Sequence, residues 1–301
     1  MKVIVSGASG LIGTALVSAL RDEGCSVVRL VRRAIQSPDE ARWQPRNRSV
    51  DTKALEGADA VVHLAGAGVG SRPWTASYKE EIRASRLLGT STLATALAAL
   101  KSPPPVFVCG SAIGYYGDTG DRETTEEAPH GAGFLAELAV DWEAAAQPAA
   151  EAGIRVVHPR TGIVLAAKGG ILGMMLPAFK FGLGARLGDG RQWFSWISLR
   201  DEVAALRFLI DSELSGPVNL TAPAPVTNAE FTKAVGAALH RPAPLAVPAQ
   251  ILKLAPGGFA EESALISQRI LPRRLLDAGF VFQDPSLAPA LQSLLSPAKN
   301  P

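Results

Sequence analysis

Hydrophobic and polar positions in the first half of the chain follow a repeated order of short apolar runs and longer periodic stretches. The apolar runs predict strands at Lys2–Ser6, Val27–Val31, Ala60–Leu64, Val106–Gly110 and Arg155–Pro159. Apolar residues at helical spacing between them predict helices over Leu11–Glu23, Ser77–Leu100 and Phe134–Ala152. Strands and helices that alternate in this way favour an α/β fold with a doubly wound parallel sheet.

The alternation ends after Thr161, where a glycine-rich apolar region and then an aromatic run begin. Further on, the pattern predicts a helix over Asp201–Ser212 and a strand over Val218–Leu220 that returns to the sheet. A T-x-x-E capping box at Thr227 predicts the start of another helix. Two stretches carry no regular pattern, which predicts a loop over residues 34–50 and a frayed tail over residues 296–301.

Composition narrows the class of protein. The chain has 301 residues, of which 47% are hydrophobic and 19% charged, so it folds around a sizeable core. A net charge of +2 without long blocks of like charge argues against a nucleic-acid partner. The sequence has no run of about 18 apolar residues, so we expect no membrane span. Because a strand is predicted from residue 2 onward, we also expect no signal peptide.

Cysteine and histidine usage points to a reducing compartment without a metal site. Cys25 and Cys109 lie far apart in apolar sequence, and the four histidines show no spacing typical of metal ligands. We therefore expect a soluble, cytoplasmic protein that binds no metal.

The first strand leads into a glycine-rich turn with the spacing G-x-x-G-x-x-G at Gly7, Gly10 and Gly13. A strand before this pattern and a helix after it are the context that a dinucleotide site requires. Gly7 would permit the tight turn, Gly10 a close approach of backbone to pyrophosphate, and Gly13 close packing of helix on strand. Free amides at the helix start would hold the pyrophosphate. The alternative is a glycine turn without a ligand.

The second strand ends in Arg32 and Arg33, with no carboxylate to accept a hydrogen bond from a ribose 2′-hydroxyl. A guanidinium there can pair with a 2′-phosphate in a bidentate way, which favours NADP(H) over NAD(H). The alternative is that both arginines are solvated loop charges.

Seven segments together resemble the extended and atypical short-chain dehydrogenase/reductase superfamily. They are GASGLIG (7–13), VVHLAGAGV (61–69), SYKEEIRASR (77–86), SAIGYYGD (111–118), FLAELAVDWEAAA (134–146), PRTGIVL (159–165) and FGLGARLGDGRQWFSWIS (181–198). The closer similarity is to the epimerase-like subfamily that includes mammalian family 39U member 1 and bacterial relatives labelled nucleoside-diphosphate-sugar epimerases. It covers nearly the whole chain.

The resemblance implies an NADP(H)-binding Rossmann domain over residues 1–165 and a substrate lobe over residues 166–301, of which a segment near 217–240 returns to the first domain. It also implies a set of coenzyme-lining residues: Gly7, Gly10, Leu11, Ile12, Gly13, Arg32, Leu64, Ala65, Gly66, Glu81, Arg86, Arg160 and Val164. Glu81 and Arg86 would equally suit a surface salt bridge without any ligand.

Catalytic members of the superfamily use a serine and a Tyr-x-x-x-Lys pair to move a proton. Ser111 stands at the serine position, but Phe134 and Leu138 stand where the tyrosine and lysine are expected. Neither side chain can exchange a proton. Tyr115 and Tyr116 are candidate substitutes, with Tyr115 preferred, because they follow a strand that ends at the coenzyme crevice. Both could instead pack the core.

Aromatic residues near the glycine-rich loops suggest an apolar substrate pocket, with Trp74, Trp193 and Trp196 as candidates, although packing between the lobes explains them equally well. We expect an NADP(H)-dependent oxidoreductase that acts on a small carbonyl, imine or activated alkene. The alternatives are a non-catalytic NADP(H)-binding regulator and, third, a sugar-nucleotide epimerase. By analogy with the superfamily, two helices flanking the sheet could form a homodimer.

Overall fold

A computed structural model describes residues 1–254 and 256–296 of the chain. Its strands, numbered along the chain, are β1 (Lys2–Ser6), β2 (Ser26–Val31), β3 (Glu40–Gln44), β4 (Ser49–Val50), β5 (Ala60–His63), β6 (Val106–Cys109), β7 (Ser111–Ala112), β8 (Arg155–Thr161), β9 (Ile163–Leu165), β10 (Ala185–Leu187), β11 (Trp193–Phe194), β12 (Trp196–Ser198), β13 (Gly216–Leu220), β14 (Val226–Thr227) and β15 (Leu245–Val247).

The helices alternate with these strands through most of the chain. They are α1 (Leu11–Asp22), α2 (Thr52–Leu55), α3 (Ala76–Ala98), α4 (Phe134–Ala144), α5 (Gln147–Glu151), α6 (Gly170–Lys180), α7 (Leu199–Asp211), α8 (Asn228–Ala238), α9 (Ala249–Leu252), α10 (Arg273–Asp277) and α11 (Leu287–Leu295). Short 3-10 turns lie at Pro45–Asn47, Ile113–Tyr116 and Pro256–Gly258, and a π-helical turn lies at Ala260–Ala264.

The central sheet has the strand order β13-β8-β6-β5-β1-β2-β3-β4, with β7 paired to β8. Every pairing in it is parallel except β3 with β4. The chain starts in the middle, moves outward through β2 and β3, and then crosses to β5 on the other side of β1. Ligands of doubly wound sheets bind at such a reversal of strand order. The predicted α/β fold of the Rossmann type is therefore confirmed.

Helices cover both faces of the sheet. On one face α1 and α7 bury apolar residues such as Leu16, Leu20 and Leu209 against the strands. On the other face α3, α4 and α5 do so with Leu93, Trp142 and neighbouring residues. Each fully buried leucine or valine contributes roughly 1.5–3 kcal/mol of hydrophobic stabilisation. Two apolar layers therefore hold the carboxyl ends of the strands in a fixed arrangement.

The last third of the chain builds a smaller apolar core of its own. Helices α6, α8 and α11 pack around Trp196, Phe179 and Phe231. The strand predicted at Val218–Leu220 is β13, which pairs with β8 in the central sheet, and the Thr227–Glu230 capping box is present. The division into domains at residue 165 stays a prediction. The predicted tail, except Ser296, lies outside the described residues.

The loop predicted over residues 34–50 was partly wrong. Residues Glu40–Gln44 form β3, which pairs with β2, and Ser49–Val50 forms β4. The apolar pattern did not reveal β3, because the strand contains charged residues. One of them, Glu40, is buried through its ion pairs with Arg29 and Arg33. Pro38 and Pro45 flank the strand and leave its hydrogen bonds intact.

The long helix predicted over Phe134–Ala152 is interrupted. It consists of α4 and α5, separated at Ala145 and Ala146, and Pro148 lies in the first turn of α5. Proline is tolerated there because first-turn amides have no acceptor within the helix. In the described ranges, no helix has both the length and the apolar character that crossing a bilayer demands.

Candidate functional site

The glycine-rich turn between β1 and α1 has the geometry that its spacing predicts. Gly7 has φ +72°, a conformation that side chains rarely adopt, and a Cβ there would lie 2.7 Å from the carbonyl carbon of Leu64. A Cβ on Gly13 would lie 2.2 Å from the carbonyl oxygen of Gly7. The turn is therefore pressed against both the end of β5 and the start of α1, and only glycine fits at these two positions.

Helix α1 begins at Leu11 with Gly10 as its N-cap, and no side chain caps its first turn. The first amides of a helix have no intrahelical acceptor and carry the positive end of the helix dipole. The first turn of α1 carries no acidic residue that would repel an anion. The start of α1, beside the ends of β1 and β5, therefore has the features of a phosphate cradle.

Several other predicted coenzyme residues gather around this cradle. Leu64 follows β5 and donates its backbone amide to the carbonyl of Ser6, 3.2 Å away. Gly170, at the start of α6, approaches both Leu11 and Val164, since a Cβ on it would lie within 3.3 Å of each. The structure thus brings the β1–α1 turn, the end of β5 and the start of β9 to one crevice.

At the end of β2, the two arginines have different surroundings. Arg33 donates from Nη1 to Glu40 Oε2 at 2.9 Å and from Nη2 to Glu40 Oε1 at 2.5 Å. These hydrogen bonds lower the pKa of Glu40 to about 2. Arg29 is paired with Asp39 in the same way. Arg32 is exposed and has no ion-pair partner in the described part of the chain.

Arg86 on α3 lies beside the loop that follows β5. Its Nη1 donates to the carbonyl of Ala67 at 2.9 Å, and its guanidinium carbon lies 4.9 Å from the ring centre of Trp142. A Cβ on Gly66 would lie 3.2 Å from that carbon. Burial lowers the pKa of Arg86 to about 10. Among described residues it has no carboxylate partner, so its charge can attract an anion.

Glu81, five residues before Arg86 on α3, has different surroundings. It is exposed and pairs with Arg72 across 3.5 Å. This is the surface salt bridge that the sequence left open as an alternative for Glu81.

Ser111 is the first residue of β7, two residues beyond the carboxyl end of β6, and it is in register with Arg160 on β8. Its Oγ donates to Glu143 Oε1 on α4 at 2.7 Å. Arg160 on β8 donates to both oxygens of the same carboxylate, from Nε at 2.7 Å and from Nη2 at 2.8 Å. Its third nitrogen, Nη1, donates to the hydroxyl of Tyr116 at 2.9 Å. The guanidinium of Arg160 is buried and fully engaged, which does not favour the predicted coenzyme contact.

The two candidate tyrosines differ in what their hydroxyls do. The Tyr116 hydroxyl donates to Asn219 Oδ1 at 2.7 Å and accepts from Arg160, and burial raises its pKa to about 12. Tyr115 is half-buried with its ring 3.4 Å from the guanidinium carbon of Arg160, and its hydroxyl has no hydrogen-bond partner among the described residues. Tyr116 is thus fixed in the core, whereas the Tyr115 hydroxyl is uncommitted.

The start of α4 is apolar. Phe134 packs edge-on against Trp74 with ring centres 5.3 Å apart, and Leu138 is buried beside Trp74 and Tyr78. The nearest cation to these rings is Lys79, whose Nζ lies 5.1 Å from the ring centre of Phe134. The start of α4 therefore provides an apolar surface, and Phe134 and Leu138 carry no group that can exchange a proton.

The three tryptophans do not meet in one pocket. Trp196 is fully buried in the core of the smaller lobe and donates to the carbonyl of Ala224. Trp74 is buried in a different apolar cluster, against Phe134 and Phe259. Trp193 pairs with Asp121 through its indole N–H. These positions favour a packing role for the three tryptophans over a shared substrate pocket.

Sequence reasoning did not single out two carboxylates at this site. Glu143 lies on a predicted helix, but its importance comes from Ser111 and Arg160, which are distant in sequence. Glu262 accepts a hydrogen bond from the backbone amide of Leu135 at 2.9 Å and so caps α4 from 127 residues downstream. In the described ranges, no cluster of three His, Cys, Asp or Glu side chains is arranged to hold a metal ion.

Comparisons with known proteins agree with this geometry. A family model described as the NAD dependent epimerase/dehydratase family matches residues 3–220, and one described as a domain of unknown function, DUF1731, matches residues 247–294. An epimerase family protein of Mycobacterium bovis is 49% identical over 290 residues, which are 96% of each chain. The epimerase family protein SDR39U1 of Bos taurus is 36% identical, over 98% of this chain and 100% of its own.

The fold of a solved structure is also similar to that of this chain. The crystal structure of human epimerase family protein SDR39U1 (isoform2) with NADPH superposes with a TM-score of 0.91 at 33% identity, over 98% of this chain and 99% of the human chain. The predicted resemblance is confirmed, and SDR39U1 proteins are among the full-length relatives of this chain. The chain belongs to the NAD dependent epimerase/dehydratase family, an NAD(P)-binding family with a Rossmann-like fold.

Proposed function

We propose that this protein is an NADP(H)-dependent oxidoreductase that acts on a small carbonyl, imine or activated alkene. The observation that carries the proposal is the contrast between Arg32 and Arg33. Arg33 is neutralised by Glu40, whereas Arg32 stays exposed and unpaired among the described residues at the end of β2. A free guanidinium at that position suits the 2′-phosphate of NADP(H).

The rest of the crevice supports the same coenzyme. The uncapped start of α1 suits the pyrophosphate, and the half-buried cation Arg86 supplies further positive charge near the loop after β5. The human relative of similar fold was crystallised with NADPH. Bound NADPH would supply a hydride. The chain's own residues would orient the coenzyme and handle the proton that accompanies the hydride.

The chemistry differs from that of relatives with a Tyr-x-x-x-Lys pair, because Phe134 and Leu138 occupy those positions. An epimerase mechanism that needs a tyrosine acid/base therefore finds no support here. Tyr116 is engaged with Arg160 and Asn219, which leaves Ser111 and Tyr115 as the hydroxyls near the crevice. The apolar start of α4 favours a second candidate, a regulator that binds NADP(H) without turnover.

Two measurements separate these candidates. Fluorescence titration of the purified protein is expected to show tighter binding of NADPH than of NADH. NADPH oxidation is then followed with a panel of aromatic aldehydes, α-diketones and quinones. Binding without turnover of any panel member would favour the regulator, and failure of both coenzymes to bind would contradict both candidates.

A further inference from the structure

Ser111 and Glu143 form a pair that can move a proton without the missing tyrosine and lysine. We propose that Ser111 exchanges a proton with the substrate oxygen and that the Glu143 carboxylate takes or returns this proton through Ser111. The proposal rests on the oxidoreductase function above and names the residues that would carry its proton transfer. The observation behind it is the 2.7 Å hydrogen bond from Ser111 Oγ to Glu143 Oε1.

Ser111 is nearly buried, with 5% of its surface exposed, and it lies at the strand ends beside which a coenzyme would bind. It follows β6, whose last residue, Cys109, is in register with His63 at the end of β5. Gly110 donates its amide to the carbonyl of His63, which holds the two strand ends together. Because the hydroxyl proton of Ser111 points to Glu143, its lone pairs stay available to accept a proton from a substrate hydroxyl.

Glu143 is held in one orientation by a buried network. Arg160 binds both carboxylate oxygens, which is the two-point geometry that fixes a carboxylate most firmly. Tyr116 accepts from Arg160 and donates to Asn219 on β13. The carboxylate is thus positioned by contacts that extend from α4 to β8 and β13, which is the kind of support that a catalytic group requires.

Tyr115 is the competing candidate. Its ring lies against the guanidinium of Arg160, but its hydroxyl has no hydrogen-bonded base in the described residues. A hydroxyl becomes an effective proton carrier when a base stands behind it. Ser111 has such a base and Tyr115 has none, so the geometry favours Ser111.

The step balances in both directions. In alcohol oxidation, the C–H bond breaks and its electron pair leaves as hydride for NADP⁺. The substrate O–H proton passes to Ser111 Oγ while the Ser111 proton passes to Glu143 Oε1, and a carbonyl remains. In reduction each transfer runs backwards. The Glu143 side chain is 14% exposed, so its proton can exchange with solvent.

The test compares Ser111→Ala and Glu143→Gln with wild type in the panel assay above. Asp284→Asn is the matched control, because Asp284 is also a nearly buried carboxylate paired with an arginine, Arg200, outside the crevice. We expect Ser111→Ala and Glu143→Gln to bind NADPH like wild type but to lose turnover by roughly 10²–10⁴-fold, the usual contribution of general acid–base catalysis. Asp284→Asn should keep both NADPH binding and turnover.

A second measurement needs only the wild type, in case Glu143→Gln fails to fold. Two protons move together in the relay, so the rate in mixtures of H₂O and D₂O should fall along a curve rather than a straight line. A straight line, or wild-type turnover in Glu143→Gln, would overturn the relay and leave the oxidoreductase function standing. A wild type that binds NADPH but turns over no panel member would overturn both.

Discussion

Arg33 and Glu40 form a two-point ion pair, and this pair removes one of the two arginines at the end of β2 from competition for a phosphate. The neighbouring Arg29 is paired with Asp39. Arg21 also pairs with Asp39, and Arg29 also pairs with Glu40. Among the described residues of this basic cluster, Arg32 is therefore the arginine without an ion pair. Coenzyme preference should accordingly depend on this single side chain rather than on the basic cluster as a whole.

Replacing Arg32 with glutamate should weaken NADPH binding far more than NADH binding. A hydrogen bond to a charged group contributes about 1.5–3 kcal/mol, so the loss of NADPH affinity should be at least tenfold by fluorescence titration. Arg46→Glu makes the same change of charge on the exposed 3-10 turn after β3 and should leave both affinities unchanged. Equal loss for both coenzymes would contradict the 2′-phosphate assignment.

Gly13→Ala should abolish coenzyme binding or destabilise the fold, because its Cβ would lie 2.2 Å from the carbonyl oxygen of Gly7. The control is Gly173→Ala within α6, where the nearest heavy atom to the new Cβ would be 3.3 Å away. Alanine is the better helix former by about 1 kcal/mol, which offsets the tight contact with the Lys168 backbone, so Gly173→Ala should be close to neutral. Thermal unfolding with and without NADPH measures both effects.

Tyr116→Phe should lower the free energy of unfolding by about 1–3 kcal/mol, because it leaves buried polar atoms of Arg160 and Asn219 without a partner. Tyr115→Phe removes a hydroxyl that has no partner among the described residues and should change stability by less than about 0.5 kcal/mol. Urea unfolding of the two variants gives the comparison. Similar losses would show that the Tyr116 hydroxyl is not part of a stabilising network.

Glu202 should make stability depend on pH. It is fully buried, and burial raises its pKa to about 8, while the Thr161 hydroxyl donates to it at 2.9 Å. Its folded pKa lies above the unfolded value, so stability is greatest below the unfolded pKa and falls as the pH rises towards 8. Glu202→Gln should lose this decline, and melting temperatures measured from pH 5 to 9 test it. Parallel curves for variant and wild type would contradict the prediction.

Glu40 should show the opposite pH dependence. Its pKa is lowered to about 2, mainly by the hydrogen bonds from Arg33. The stability that this ion pair provides is therefore present above the unfolded pKa and is lost as the pH falls towards 2. Glu40→Gln should melt below wild type at neutral pH, and the two melting curves should converge in acid. A difference that stays constant with pH would rule out the charge as its source.

The sequence alone was sufficient to predict those elements whose structure depends on a local pattern of residues. The apolar runs located β1, β5 and β6 to within one residue, and the glycine spacing identified the turn that only Gly7 and Gly13 can form. Periodicity was too weak to identify β3, because only Ala41 and Trp43 provide its apolar face and Glu40 beside them is buried through ion pairs. Two apolar residues next to charged ones are a short signal that also fits a loop.

The candidate site was predictable only in part, for a physical reason. Residues such as Ser111 stand directly after strands, so their place at the crevice follows from topology. The partners Glu143, Arg160 and Asn219 come together through packing of elements 17 to 103 residues apart. Burial likewise decides that Trp196 packs the lobe rather than lining an open pocket. These contacts and this burial depend on the assembled fold, so no sequence motif predicts them.

The cap that Glu262 places on α4 has a consequence for how the chain can be divided. Phe259, three residues earlier, packs on Trp74 with ring centres 5.3 Å apart. The region matched as a domain of unknown function thus supplies a carboxylate and an aromatic ring to the region matched as the epimerase family. Expression of the first 220 residues alone would leave the α4 terminus and Trp74 uncovered. We therefore expect the two matched regions to fold and unfold as one cooperative unit.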